Sequence, residues 1–246
     1  TKVRGKMGSD CNSEGLSRRN ILAAADASLK RLNTYYIDLY YLHAPDYATA
    51  IEETCETMTD LVRSGKVRYV GISNYAAWQI VDMLAVCEKK GYAAPVITQN
   101  VYNLLTRSIE TELVPCILKH GIGLAIYNPI AGGLLTGKHR PGTPADNTRF
   151  AGNKTYLDRY WSEENFSAVR ELVEIADGCG LSILQLAMKW CAVQKGVTSI
   201  ISGVSNRTQI EQNIASLVGD TLTDEVLQRC DAIWQRLTGS RFQYNR

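Results

Sequence analysis

The feature that most constrains this chain is a two-beat rhythm, in which short apolar runs alternate with longer amphipathic stretches. Residues 37–43, 67–72, 95–99, 122–127 and 198–202 are brief and rich in Val, Ile, Leu and Tyr, as buried strands are. Between them apolar residues recur every three or four positions, which predicts helices over 17–32, 47–64, 76–90, 108–120, 182–194 and 206–217. Ser17 stands where the first of these needs an N-cap. Strands that return after a helix each time run parallel and are joined by right-handed crossovers. With 246 residues the chain is long enough for one large domain over positions 1–246. Residues 1–3 read as the end of a further strand, so five to six strands are visible where a closed (β/α)₈ barrel has eight. The expected fold class is therefore α/β, a TIM barrel that is N-terminally incomplete.

Two stretches interrupt the rhythm. Residues 136–161 are rich in Gly, Pro and Asn and predict a long loop, followed by an additional helix over 163–179. Another helix is expected over 223–237, with a tail from 238 to 246. Long loops on barrels are usually lids or clasps for ligands.

Composition excludes several functions. The 27 basic and 25 acidic residues give a net charge of only +2, spread along the chain. That is no electrostatic footprint for nucleic acid, and no polybasic patch for a membrane. No apolar run has the length of a membrane span. The seven cysteines show no C-x-x-C pair or Cys/His cluster, so no metal site is expected. Unpaired cysteines in helical stretches suit a reducing compartment, and the expected location is cytoplasmic. A small anion needs only a few local cations and stays open as a ligand.

In a barrel of this kind chemistry sits at the C-terminal ends of the strands. Lys2, His43, Ser73, Asn74, Gln99 and Tyr127 all fall there. A single polar strand end is ordinarily a satisfied core group. Polar or ionisable residues at strand after strand point to a site.

The chain resembles the aldo-keto reductases, and within them the aflatoxin-aldehyde reductase branch, from Thr1 to Arg246. The resemblance is carried by Thr1-Lys-Val3, Tyr41-Leu-His-Ala-Pro-Asp46, Gly71-Ile-Ser-Asn-Tyr75, Asn128-Pro-Ile-Ala-Gly-Gly-Leu-Leu-Thr-Gly-Lys138 and Ser205-Asn-Arg-Thr-Gln-Ile-Glu-Gln-Asn213. It implies hydride transfer from NADPH to the carbonyl of a small molecule, with a tetrad of Asp, Tyr, Lys and His. Lys2 takes the role of the ammonium that lowers the pKa of the tyrosine acid. His43 takes that of orienting and polarising the carbonyl. The Asp and Tyr of the tetrad are expected upstream of Thr1, so this chain is expected to lack its own proton donor. A fragment of a complete enzyme, a shortened gene product, and a non-catalytic NADPH-binding or regulatory subunit are the readings left open by that expectation.

The same resemblance distributes the cofactor. Ser73, Asn74 and Gln99 are expected to grip the nicotinamide carboxamide, and Tyr127 to stack on its ring. The Gly-rich segment holding Asn128, Pro129, Gly132, Gly133, Leu134, Gly137 and Lys138 is expected along the pyrophosphate. Ser205, Arg207, Gln209, Gln212 and Asn213, at the start of the last barrel helix, are expected around the adenosine 2′-phosphate. Arg149, in the long loop, resembles a further cofactor contact. His43, Tyr156, Arg159 and the terminal Arg246 resemble the substrate contacts. Two guanidiniums converging on one pocket suit a substrate that bears a carboxylate. A homodimer is compatible with this branch.

Overall fold

The computed structural model describes residues 1–146 and 148–239. They fall into two compact units: Thr1–Asn100 with Glu110–Ala125, and Val101–Ile109 with the chain from Ile126 onward.

The strands β1 (Lys2–Val3), β2 (Ile37–Leu42), β3 (Val67–Ser73), β4 (Pro95–Val101) and β5 (Gly123–Tyr127) lie in the sheet in chain order, the last residue of β4 and the last two of β5 belonging to the second unit. The pairings are parallel: Lys2 lies opposite Tyr41, Tyr41 opposite Gly71, and Ser73 opposite Gln99. The register slips between Val70 and Gly71. Helices α1 (Arg18–Leu32), α2 (Ile51–Arg63), α3 (Ala77–Lys90) and α4 (Leu113–His120) connect them. The core joins Ile21 and Ala25 of α1, Met58 and Leu61 of α2, and Ile80 and Met83 of α3 to Tyr40, Val70 and Ile72 of the strands, all buried. The Tyr40 hydroxyl reaches back to donate to the carbonyl of Ile21 at 3.3 Å, which satisfies a polar group that burial would otherwise strand.

Local chemistry sets the helix ends. The Ser17 side chain accepts from the Asn20 N–H, so α1 starts where the N-cap signal placed it. Helix α2 begins at Ile51 rather than near 47. The intervening residues are held in a turn by Asp46, whose carboxylate accepts from the Ala48 N–H and the Thr49 hydroxyl. The helix expected over 108–120 is instead a 3₁₀ turn, Ser108–Glu110, followed by α4. Pro115 explains the break, because it is tolerated in the first turn of α4 but would disrupt a helix running on from Ser108.

In the second unit a 3₁₀ segment, Ala131–Thr136, precedes α5 (Arg149–Gly152), α6 (Lys154–Tyr160), α7 (Glu163–Gly178), α8 (Ile183–Val193), β6 (Val197–Ile201), α9 (Arg207–Ala215) and α10 (Asp224–Leu237). The long loop expected over 136–161 thus contains two short helices, capped by the side chains of Thr148 and Asn153. The core is aromatic. Trp190 is fully buried, with Tyr102 at 5.0 Å between ring centres and the Arg107 guanidinium 4.8 Å from its ring. Helix α10 packs on α7.

Parallel strands separated by helices make this the α/β class, with the β/α repeat of a (β/α)₈ barrel. All seven cysteines are free: Cys55, Cys87, Cys191 and Cys230 are buried, Cys116 half-buried, and Cys11 and Cys179 exposed. Among the described residues no group of His, Cys, Asp and Glu could hold a metal. No described helix is long and apolar enough to cross a membrane.

Candidate active site

The first unit gathers Lys2, His43, Ser73, Asn74 and Gln99 at the ends of neighbouring strands. His43 follows β2, and its N–H donates to the carbonyl of Val3 at 2.9 Å, which fixes the residue beside β1. Asn74, one residue past β3, adopts a left-handed φ of 60°, a conformation Asn tolerates better than most residues. Its N–H donates to the carbonyl of Gln99 at 3.1 Å, and its Nδ2 donates both to the carbonyl of His43 and to Ser73 Oγ, each at 3.1 Å. Ser73 Oγ in turn donates to the carbonyl of Gln99 at 2.9 Å. Ser73 and Asn74 therefore lace the ends of β2, β3 and β4 together. Ser73 and Gln99 are buried, while Lys2, His43 and Asn74 present their side chains to solvent.

The electrostatics of this group follow from burial and like charge. Partial burial lowers the pKa of His43 below 6.5, and the cations Lys2 and Arg4 lower it further. These effects favour the neutral imidazole, a form that can donate one N–H to an incoming oxygen. Partial burial also lowers the pKa of Lys2. Tyr41 lies opposite Lys2 in the sheet, but burial raises its pKa, against which only a hydrogen bond with Gln99 works. A hydroxyl so buried and engaged is a poor proton donor at neutral pH. Its ring lies over Gly71, where an added Cβ would come within 2.7 Å of it; only glycine permits that approach.

The second unit holds the other candidates. From Asn128 to Gly137 the backbone takes positive φ at Asn128 (57°), Ala131 (49°), Gly132 (69°), Gly133 (111°) and Gly137 (72°). Such a run curls the chain through successive tight turns, in which the N–H groups of Ala131, Gly133, Leu135 and Gly137 donate to the carbonyls of Asn128, Ile130 and Leu134. Pro129, Gly133 and Leu134 are buried, so Leu134 serves the core with its side chain and offers a ligand only its backbone. Lys138 is exposed at the end of the segment. The Nδ2 of Asn128 is buried with no hydrogen-bond partner among the described residues.

Tyr127, half-buried at the end of β5, has its pKa raised by burial and drawn back by the charge of Arg159 and a hydrogen bond with it. The structure thus joins a residue expected at the cofactor to one expected at the substrate. Tyr156 does the same: its hydroxyl meets Asn128 and Arg149. At the start of α9, Asn206 caps the helix by accepting from the Gln209 N–H, and Gln209 Oε1 accepts from the Ser205 N–H at 2.8 Å. Arg207 is exposed and paired with Glu211 at 2.7 Å. Gln212 is exposed, whereas Asn213 is buried and donates to Ser202 Oγ at 2.7 Å, tying α9 to the end of β6. Arg246 lies outside the described residues.

Three residues that shape these groups were not singled out from sequence. Tyr41 engages Gln99, and Arg4 depresses the pKa of His43. Asn103, fully buried, donates from Nδ2 to the carbonyl of Asn128 at 2.9 Å and so braces the Gly-rich turn. Tyr41 stood within a motif; nothing in the sequence around Asn103 distinguishes it.

The aldo/keto reductase family profile matches residues 1–235, and the chain belongs to that family. It is 36% identical over 228 residues to a probable voltage-gated potassium channel subunit beta of Arabidopsis thaliana, an alignment covering 91% of this chain and 70% of that protein. It is 34% identical over 236 residues to aflatoxin B1 aldehyde reductase member 2 of Homo sapiens, covering 90% of this chain and 66% of the relative. The Rattus norvegicus protein of the same description is 35% identical over 238 residues, with 90% and 64% covered. The chain spans about two thirds of the length of these relatives.

Proposed function

We propose that the protein reduces aldehydes and ketones to alcohols with NADPH. The observation that carries this reading is His43, favoured in its neutral form and laced to Asn74 beside Lys2 at adjacent strand ends. Bound NADPH supplies the hydride that reaches the carbonyl carbon. Neutral His43 donates an N–H to the carbonyl oxygen, orients it and favours the negative charge that grows there. The Lys2 ammonium favours the phenolate that a tyrosine acid would leave on giving the growing alkoxide its proton, which completes the alcohol. Tyr41 lies opposite Lys2, but its hydroxyl is held in a hydrogen bond with Gln99 and burial raises its pKa, which disfavours it as that acid.

Each unit carries groups suited to part of the cofactor. Ser73, Asn74 and Gln99 offer amide and hydroxyl groups for a carboxamide, and Tyr127 offers an aromatic face. Along the Gly-rich turn, the buried Nδ2 of Asn128, without a partner among the described residues, offers a donor for a diphosphate. The capped start of α9, with Arg207, Gln209 and Gln212, suits the 2′-phosphate that separates NADPH from NADH. Arg159 and Arg246 favour small aldehydes that carry a carboxylate, such as succinic semialdehyde. The expected setting is the cytoplasm, with a homodimer as the assembly to test.

Fluorescence titration of the full-length protein with NADPH and NADH tests the cofactor assignment: tighter binding of NADPH is expected, and equal affinities would remove its basis. A second reading, an NADPH-binding subunit without turnover, is favoured by the 36% identity to a probable channel subunit beta. Turnover of succinic semialdehyde separates the two, since the second reading predicts binding with no reduction.

A further inference from the structure

The contact between Arg149 and Tyr156 joins a residue expected at the cofactor to one expected at the substrate. The Tyr156 hydroxyl donates its single proton to Asn128 Oδ1 at 3.0 Å and accepts from Arg149 Nη1 at 3.2 Å. Its ring lies against Gly132, where a Cβ would come within 2.7 Å of the ring's Cδ1. The Arg149 guanidinium carbon is 5.0 Å from the centre of the same ring, near enough for its charge to be drawn to the π-face. The other end of that guanidinium, Nη2, is 3.9 Å from where a Cβ on Gly203 would stand, at the turn that leads from β6 into α9. Arg149 thus reaches from Tyr156 towards the α9 turn, and Tyr156 is anchored on the first residue of the Gly-rich turn.

We propose that Tyr156 is a positioning residue for the cofactor: it holds the Arg149 guanidinium in register with the Asn128–Gly137 turn, so that the cation is already aimed when phosphate arrives. The proposal rests on the NADPH reading above. An exposed arginine samples many rotamers, and a ligand that must immobilise it binds more weakly than one that finds it fixed. Tyr156 spends one hydrogen bond and one ring face on that fixing, and leaves the remaining guanidinium N–H groups for an anion. Asn128 completes the linkage by tying the tyrosine to the backbone segment expected along the diphosphate.

The test is a double-mutant cycle on NADPH affinity in the full-length protein, with Tyr156→Phe, Arg149→Met and both together. Tyr156→Phe keeps the ring over Gly132 and removes only the hydroxyl, so its thermal midpoint should fall by no more than about 4 °C. It should weaken NADPH binding about fivefold, the scale of one hydrogen bond. The double variant should bind no more weakly than Arg149→Met alone, because the tyrosine acts only through the arginine. A loss that adds fully to that of Arg149→Met overturns the proposal, as does unchanged or tighter binding by Tyr156→Phe. Absence of NADPH binding by the unsubstituted protein would overturn the cofactor reading itself, a result distinct from either.

Discussion

Replacing Asp46 with alanine should cost this chain a substantial part of its stability, and the structure sets the size of the loss. The carboxylate accepts from the Leu16 N–H at 2.6 Å, from the Ala48 N–H at 3.0 Å and from the Thr49 hydroxyl at 2.8 Å. It thereby pins the segment between β1 and α1 onto the turn that follows His43. Leu16 is buried, so its N–H cannot turn to water once the carboxylate is gone; one buried donor left unmet costs about 1–3 kcal/mol. The Ala48 and Thr49 groups can be solvated, and their bonds add about 0.5 kcal/mol each, at the low end for net hydrogen bonds. The total is about 2–4 kcal/mol. For a chain of this length each kcal/mol moves the thermal midpoint by about 2–4 °C, so a fall of roughly 4–16 °C is expected. Gly15, at φ +81°, stands so close that a Cβ there would come within 2.7 Å of the same carboxylate, and Gly15→Ala should act in the same direction. The pH dependence follows with its sign. Burial raises the pKa of Asp46, but the hydrogen bonds from Leu16, Ala48 and Thr49 and the charge of Arg4 outweigh it and leave the pKa lowered. A depressed carboxylate contributes stability above its unfolded pKa of about 3.9 and loses it as pH falls through the lower folded value. Thermal unfolding monitored by circular dichroism should therefore show an Asp46→Ala deficit that is constant near neutrality and closes in acid. A midpoint within about 2 °C of the unsubstituted protein at pH 7 would refute the reasoning, since it would mean less than about 1 kcal/mol lost.

Two further outcomes follow from the same unit. Gly71→Ala places a methyl into the Tyr41 ring and should cost about 1–3 kcal/mol by overpacking; with Tyr41 displaced from Gln99, NADPH binding should weaken as well, and unchanged stability in urea would contradict the contact. His43 should titrate below 6.5 when its ring protons are followed by NMR, because burial and the cations Lys2 and Arg4 all disfavour its charged form; a value at or above 6.5 would contradict the electrostatics, and Arg4→Gln should move it upward.

The fold was legible in the sequence wherever a pattern is local. Helix α1 runs from the residue after its N-cap Ser17 to Leu32 as its periodicity predicts, and the apolar runs became β2 to β5 and β6 within a residue or two. Helices α5 and α6 were missed because four and seven residues are too few to establish a period, and their polar composition reads as loop. Their caps, Thr148 and Asn153, are helix signals only when a helix is already suspected. The strand-end residues of the candidate site were visible as positions; their partners were not. The ring of Tyr41 over Gly71 depends on cross-strand register, and the junction of Tyr156 with Arg149 and Asn128 depends on the folding of a long loop, neither of which spacing along the chain encodes. Asn213 shows the converse. Expected at a ligand, it is buried against Ser202 and also serves to moor α9.

The most direct test of carbonyl reduction at this site is a comparison of the full-length protein with its His43→Ala variant, measuring kcat for a small aldehyde together with NADPH affinity. If the neutral imidazole donates to the carbonyl oxygen, kcat should fall by about 100-fold or more while the dissociation constant of NADPH stays within about twofold. Full turnover by His43→Ala, or a loss explained entirely by weaker NADPH binding, would contradict the assignment of His43 to the reacting carbonyl.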